Sequence, residues 1–500
     1  MTQNGTRFEF VGREKAAPIA DVLLVPLVTM PQPPLQLVTQ VDAVCHDAVS
    51  ELIAVKALGN KPGHLAHTTR SGAYRRILVI SLGEKDKLTT HEIRRAAASA
   101  AHWLVSERIS RAALWIDGLA IGGLNRATAD WAAGMTLAGF RFGEFREPDK
   151  NSVSKVRIEI CSSQTGHVRR VLPEVRDEVT ISQATNYARR LAHLPANIIN
   201  PTSLAAEARK LARNSKLKCT VLDTAQVKRL GMGGLVAVGS GAAHGPCLIQ
   251  LEYRAAPRTR RTTVLVGKAI TFDTGGYSIK PSAGLEEMKY DKCGGTTVLG
   301  IMKAVADLKL KCNVIGLVAA AENAVSERAY RPGDILKMMS GKTVEVISTD
   351  AEGRLVLADA LWYAQKRLKP TEIIDLATLT GGANIALGKA AAALMANNDE
   401  LAGELGECGR RTYERLWRLP LWDDYRELIK AKDADLRNSA SKRDAHTIVG
   451  GMFLQEFIQK GIAWAHIDIA AVATSDNDKN SNGKGATGFG VRLLVDYLRR

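Results

Sequence analysis

The stretch Thr263-Val-Leu-Val-Gly-Lys268-Ala-Ile-Thr-Phe-Asp273-Thr-Gly-Gly-Tyr-Ser-Ile-Lys280 decides the fold. It opens as an apolar β-type run, Thr263 to Val266, and passes straight into Gly267-Lys268. Ligands in open α/β sheets sit beyond the carboxyl ends of strands, so Lys268 and Asp273 are expected at the mouth of a crevice. Gly275-Gly276 lets the chain turn tightly with no side chain in the way. Downstream, Met288-Lys-Tyr-Asp291 adds a carboxylate ahead of Gly294-Gly295, which opens a helix. A second segment has the same form. The strand-like Thr343-Val-Glu-Val-Ile347 ends at Asp350-Ala-Glu352-Gly-Arg354, and an apolar helix starts at Leu355.

Working outward, the first third alternates strand-like runs (Asp21–Val28, Arg76–Leu82, Ala112–Asp117, Val156–Ile160) with helical patterns over Thr90–Arg108, N-capped by Thr90, and Arg126–Gly139. Such alternation implies a mostly parallel sheet with helices packed on it. A charged stretch, Arg169 to Glu178, then leads into a helix ending near His193-Leu-Pro195, and Asn200-Pro201 starts another. Beyond it, strands are expected at Cys219–Val221, Leu248–Tyr253, Val314–Ala319 and Ile373–Asp375, with helices at Gly295–Leu308 and Leu355–Lys366. The glycine-rich Gly231–Gly241 reads as a turn and a strand. The expected fold is α/β in two domains. A smaller N-terminal α/β domain takes residues 1–170. A larger C-terminal catalytic α/β domain takes 171–500, with a central mixed sheet flanked by helices and a connecting helix near 180–194.

The 500 residues are 46% hydrophobic and 24% charged, ordinary values for globular chains. No apolar run approaches the ~20 residues of a membrane helix, and the N-terminus lacks the apolar core of a secretory signal. Seven cysteines with no C-x-x-C pair fit reduced thiols in a reducing compartment and argue against a four-thiolate zinc site. A soluble, cytoplasmic protein is expected. The net charge of +16 raises a competing function, a basic nucleic-acid-binding or regulatory protein. The Lys and Arg residues are scattered, however, and clusters such as Arg258-Thr-Arg260-Arg261 are short, which a solvated basic surface explains as well.

Three aspartates and a glutamate converging on one crevice cannot all stay ionised unpaired, because like charges in a partly dry site raise each other's pKa. A pair of divalent cations bridged by carboxylates resolves this. Oxygen-rich ligation suits Mg or Mn, and Zn also accepts Asp and Glu. Singly, each residue has an ordinary explanation as a helix cap or a solvated lysine; the spacing of the set does not. His64 and His67 lie far from these motifs and read as surface residues. Gly341-Lys342-Thr343 resembles the end of a phosphate loop, but Leu336 stands where that loop needs glycine. Ser278 and Lys280 could form a nucleophile pair, although the adjacent carboxylates make an activated water the better nucleophile.

Ser348-Thr-Asp-Ala-Glu-Gly-Arg-Leu355 closely resembles the Asn-Thr-Asp-Ala-Glu-Gly-Arg-Leu signature of the leucyl aminopeptidase (cytosol aminopeptidase) family. Gly267 to Lys280, Asp375-Leu-Ala-Thr-Leu-Thr-Gly381 and Trp464-Ala-His-Ile-Asp-Ile-Ala470 are similar to other segments of that family, and the likeness runs from about Leu191 to the C-terminus. The resemblance implies an aminopeptidase that removes N-terminal leucine or similar residues through a metal-bridging water. It implies Lys268, Asp273, Asp291, Asp350 and Glu352 as ligands of two divalent ions (Mn2+ or Zn2+), with Asp273 and Glu352 bridging and Lys268 binding as a neutral amine. Lys280 would polarise the scissile carbonyl, and Arg354 would hold a bicarbonate ion as general base. Met288, Thr378, Leu379 and Gly381 would line the first side-chain pocket. Peptides with a free N-terminus and assembly as a homohexamer are implied too.

Three departures stand out. Ser348 replaces the signature's Asn, which bears on local hydrogen bonding and not on metal ligation. Asp291-Lys292-Cys293-Gly294 replaces Asp-Met-Gly-Gly or Asp-Met-Cys-Gly, so Lys292 brings a charge beside a ligand, while Cys293 reads as a packed thiol. Residues 437–449 diverge from the family's small-residue pattern near the site entrance.

Overall fold

The computed structural model describes residues 5–13, 20–30, 32–70, 73–147, 153–255, 261–440, 442, 444–476 and 483–500. Arg258 and Arg260 of the basic cluster, and Ser441 and Arg443 of the divergent stretch, lie outside these residues. Contacts divide the chain into two compact units, Met1–Gln183 with Asp476–Lys484 and Ala184–Ser475 with Gly485–Arg500. The helix His167–His193 contains the division.

The first unit is built on strands β1 (Arg7–Gly12), β2 (Val22–Met30), β3 (Leu65–Thr69), β4 (Arg76–Glu84), β5 (Arg111–Trp115) and β6 (Lys155–Cys161). Their order is β1-β6-β5-β2-β4-β3. All neighbours are parallel except β3, an antiparallel edge. Side chains of β2 alternate as the pleat requires. Val22 and Leu24 join the core under helices Thr90–Ser106 and Ala127–Ala138, while Leu23, Val25 and Leu27 join the core under Leu35–Cys45 and Ala48–Ala54. Fully burying each such side chain contributes about 1.5–3 kcal/mol. The cap of Thr90–Ser106 is Thr89, not Thr90. The Thr89 hydroxyl accepts from His91 N–H and the Glu92 carboxylate returns to Thr89 N–H, whereas the Thr90 hydroxyl is turned to Asp130.

The second unit carries β7 (Lys218–Leu222), β8 (Cys247–Arg254), β9 (Thr263–Asp273), β10 (Asn313–Asn323), β11 (Ile335–Lys337), β12 (Thr343–Glu345), β13 (Glu372–Ala377), β14 (Ala392–Ala396), β15 (Leu416–Arg418), β16 (Leu436–Arg437) and β17 (Ala463–Asp468). Eight of these form a mixed sheet in the order β15-β14-β17-β13-β9-β10-β8-β7. Its centre, β17-β13-β9-β10, is parallel. Helices Gly353–Tyr363 and Cys293–Leu308 both pack on β9 and β10. The apolar face of β9, Val264, Val266 and Ile270, shares a core with Leu355, Leu357 and Phe453.

Three further expectations need correction. Strand β9 does not end at Val266; it pairs with β10 as far as Asp273, so Lys268 stands inside the strand and not at its mouth. The run Thr343–Ile347 forms a strand only over Thr343–Glu345, and that strand belongs to a separate sheet, β11-β12-β16, not to the central one. Gly231–Gly241 holds a short helix, Gly233–Val238, rather than a strand. The Gly233-Gly234 pair lets this helix approach Lys337 and Leu355 backbone more closely than any Cβ would allow.

Candidate metal centre

Lys268 lies on the same face of β9 as Val266 and Ile270, beneath the first turn of Gly353–Tyr363. A methyl group on Gly353 would stand 2.7 Å from Lys268 Cε and Nζ, so glycine is what admits the lysine there. Lys268 Nζ reaches Glu352 Oε1 at 2.8 Å and Asp291 Oδ2 at 2.9 Å, and donates to Thr378 O at 2.8 Å. Asp273 ends β9, with Oδ1 accepting from Gly275 N–H (2.9 Å) and the Asn323 amide (2.8 Å), and Oδ2 2.9 Å from Lys280 Nζ. Lys280 also pairs with Asp350. Gly275, at φ +84°, supplies the tight turn that returns Lys280 to the cluster.

The five candidate ligands and Lys280 are therefore brought together. Carboxylate oxygens of Asp273, Asp350 and Glu352 all lie within 4.8 Å of one another. Burial and the neighbouring Asp273 push the Glu352 carboxyl up to about 8, against the pull of Lys268 and Lys280. Burial raises Asp291 to about 6, with Lys268 opposing, and raises Asp350 too, with Lys280 opposing. Burial works against the charge of Lys268, yet Asp291, Glu352 and Asp273 outweigh it and hold the ammonium above its ordinary value. Lys280 is held up in the same way by Asp273, Glu352 and Asp350.

The residues fit a divalent-cation site. Four carboxylates face two ammonium groups, leaving an anionic excess. Glu352 Oε2 is buried with no hydrogen bond, and Asp291 Oδ2 has only the Lys268 approach, without hydrogen-bond geometry. Oxygen donors with one amine suit Mn or Zn.

Arg354, 2% exposed, donates from Nη1 to Asn438 O at 2.6 Å, and its Nε has no hydrogen-bond partner. Burial lowers its pKa to about 10, with Glu352 and Asp468 opposing. Of the expected pocket residues, Thr378 is tied to the cluster, its hydroxyl donating to Asp291 Oδ1 at 2.7 Å. Leu379 is half-buried beside Gly450, Gly381 is exposed, and Met288 is half-buried on the turn that carries Asp291. A separate cavity of about 380 Å³, lined by Lys228, Met232, Lys337 and Met339 among others, contains none of the candidate ligands.

The departures have local explanations. Lys292 turns into the interior, donating to Leu194 O (2.9 Å) and Lys289 O, and burial lowers its amine to about 7. Ser348 Oγ accepts from Asp350 N–H at 3.2 Å. Cys293 is buried, its thiol pushed up to about 12 by burial. His64 and His67 are exposed.

Sequence reasoning missed the supports. Asn323 joins Asp273 to Thr349 O. Asn438 is fully buried; its amide accepts from Ile347 N–H and donates to Ser348 O, holding the Asp350-Ala-Glu352 turn from the divergent 437–449 stretch. Asp468 holds the Thr378–Gly381 loop. Each lies in a segment whose local pattern reads as an ordinary strand end or loop; only the Trp464–Ala470 likeness pointed near one of them.

Fold and cluster together define a class, α/β enzymes with a carboxylate-rich cation site at the central sheet. The model of the "Cytosol aminopeptidase family, catalytic domain" matches residues 186–495, and that of the family's N-terminal domain matches 25–149. A "Probable cytosol aminopeptidase" of Geobacter sulfurreducens is 40% identical over 468 residues, 93% of each chain. One of Cenarchaeum symbiosum is 40% identical over 457 residues, 91% of each chain. Among solved structures, "Bottromycin maturation enzyme BotP in complex with Mn" superposes with a TM-score of 0.84 at 31% identity, covering 96% of this chain and 99% of that one. The chain belongs to the cytosol aminopeptidase family and is a metallo-aminopeptidase.

Proposed function

We propose that this enzyme uses two divalent cations to remove leucine or a similar residue from peptides with a free N-terminus. The observation that carries the reading is the gathering of Asp273, Asp291, Asp350 and Glu352 around the ammonium groups of Lys268 and Lys280. These five residues would hold Mn2+ or Zn2+, Lys268 exchanging its proton for a cation. The cations, when bound, supply Lewis acidity and a water activated near neutral pH. Lys280, an ammonium at the rim of the cluster, donates to the scissile carbonyl and stabilises the oxyanion as charge develops on it. Arg354, with Nε unpartnered, would hold bicarbonate as the proton acceptor, its guanidinium oriented by Asn438 O. Met288, Thr378, Leu379 and Gly381 would receive the first side chain.

Seven free thiols support a cytoplasmic setting, and among the described residues no helix is long and apolar enough to cross a membrane. Exposed Trp417 on the edge strand β15 and exposed Trp422 offer apolar surface that subunit contacts of a homohexamer would cover. We place the N-terminal domain at 1–170 and the catalytic domain at 171–500. The comparisons lend the nucleic-acid reading no support. The decisive test measures bound metal alongside hydrolysis of a panel of aminoacyl amides. Leucyl amide should be cleaved, a chelator should abolish turnover, and Lys280→Ala should lower kcat by about 10²–10³-fold with metal still bound. Chelator-resistant turnover would reject the metal mechanism.

A further inference from the structure

We propose that Asp468 is a positioning residue that sets both the side-chain pocket and the ligand geometry through the Thr378–Gly381 loop. The inference rests on the site reading above and extends it to a residue that touches neither substrate nor cation.

Asp468 is the last residue of β17, opposite Ala377 at the end of β13, and it is fully buried. A buried carboxylate is costly unless several donors satisfy it, and here three do. Oδ1 accepts from Leu379 N–H and Ala470 N–H, both at 3.1 Å, and Oδ2 accepts from the Thr380 hydroxyl at 2.7 Å. Two of the three donors belong to one loop, so the carboxylate fixes that loop's height above the sheet.

What the loop carries gives this pin its consequence. Thr378 O receives Lys268 Nζ at 2.8 Å, and the Thr378 hydroxyl donates to Asp291 Oδ1 at 2.7 Å. The flanking side chains of Leu379 and Thr380 meet the helix His446–Gln455. The Thr380 and Thr447 hydroxyls lie 2.9 Å apart, and a Cβ on Gly450 would stand 3.0 Å from Leu379 Cδ2 and 3.4 Å from Thr380 Cγ2. Asp468, Thr380 and Thr447 thus form a chain of buried polar contacts that holds two candidate ligands and one pocket wall in register. Releasing it lets Leu379 move toward the space beside Gly450 and slackens Lys268 and Asp291 together.

The test uses full-length enzyme carrying Asp468→Ala, Thr380→Val or Thr380→Ser. Two readouts are taken: the ratio of kcat/KM for leucyl and alanyl p-nitroanilides, and Mn2+ affinity by calorimetry. Asp468→Ala and Thr380→Val should weaken Mn2+ binding about 10-fold or more, the usual effect of losing an outer support of metal ligands. They should also collapse the leucyl-to-alanyl ratio through KM, in protein that is still folded at the assay temperature although its melting midpoint is lower. Thr380→Ser, which keeps the hydroxyl, should restore both. Thr380→Val is near-isosteric and keeps the test valid should Asp468→Ala fail to fold. A shift in either readout that Thr380→Ser reverses sustains the role. Wild-type values in both readouts for Thr380→Val overturn it and leave the site reading intact. Full turnover in Lys280→Ala would instead remove the site reading, and the positioning role with it.

Discussion

Lys268 is a charged side chain in the middle of an apolar strand, and its placement depends on the absence of a single carbon atom. Gly353 lies against Lys268 Cε and Nζ where a Cβ would stand at 2.7 Å. Gly353→Ala therefore pushes the lysine off Asp291 and Glu352 or tilts the first turn of the helix that carries Arg354. Loss of turnover by about 100-fold is expected, the scale of a misplacement near 1 Å, together with weaker Mn2+ binding in calorimetry. A variant with wild-type affinity and rate would show that the lysine's position is not decisive. That the candidate ligands converge was legible in the sequence, because each sits in a short segment whose carboxylates and lysines contradict its apolar surroundings. Asn438 was not legible. It contacts Arg354 from 84 positions away, and nothing in Arg437-Asn-Ser marks a buried amide. The position of Lys268 was misjudged because Gly267 reads as a strand stop, whereas pairing with β13 runs up to Gly267 and pairing with β10 carries the strand past it to Asp273.

The helix Gly353–Tyr363 is anchored at a second point along its length. Asp359, fully buried, accepts from Leu235 N–H at 3.0 Å and Met339 N–H at 2.8 Å, locking the helix to the short helix Gly233–Val238 and to the turn between β11 and β12. Asp359→Ala leaves two buried donors unpaired and should cost about 2–4 kcal/mol, read as a lower urea midpoint. Burial pushes this carboxyl up to about 7, with the N–H groups of Met339, Leu235 and Gly234 only partly offsetting it. A folded-state value above the unfolded one means the folded chain holds its proton longer. The contribution of this group is most favourable in acid and is lost as pH rises from about 4 to about 7. The stability difference between wild type and Asp359→Ala should narrow across that window; a constant difference would show that the carboxyl titrates normally. Helices of this kind were visible from their apolar periodicity, as were most strands of both sheets. The small sheet was harder, because β12 and β16 are short and pair from 92 positions apart, judging by the Thr343–Asp435 contacts that lock them.

For the molecule as a whole, the anionic excess at the cluster makes cation binding a source of stability as well as activity. A ligand that binds only the native state stabilises it by about 2.7 kcal/mol at a hundredfold excess over its Kd. EDTA should therefore lower the Tm and added Mn2+ should restore it. An unchanged Tm would mean that the native fold does not depend on the ions. The basic charge of +16 bears on solubility and surface encounters, and it gave no guide to the chemistry.

One consequence of the topology concerns the timing of activity during synthesis. The loop that braces Lys268 and Asp291 hangs on β17, which the ribosome delivers after every candidate ligand. Parallel partners distant along the chain pair late in folding. An emerging polypeptide thus possesses its acidic residues before it can hold them in register. The order of translation itself withholds a peptide-cleaving centre from the crowded exit of the ribosome until β17 has emerged.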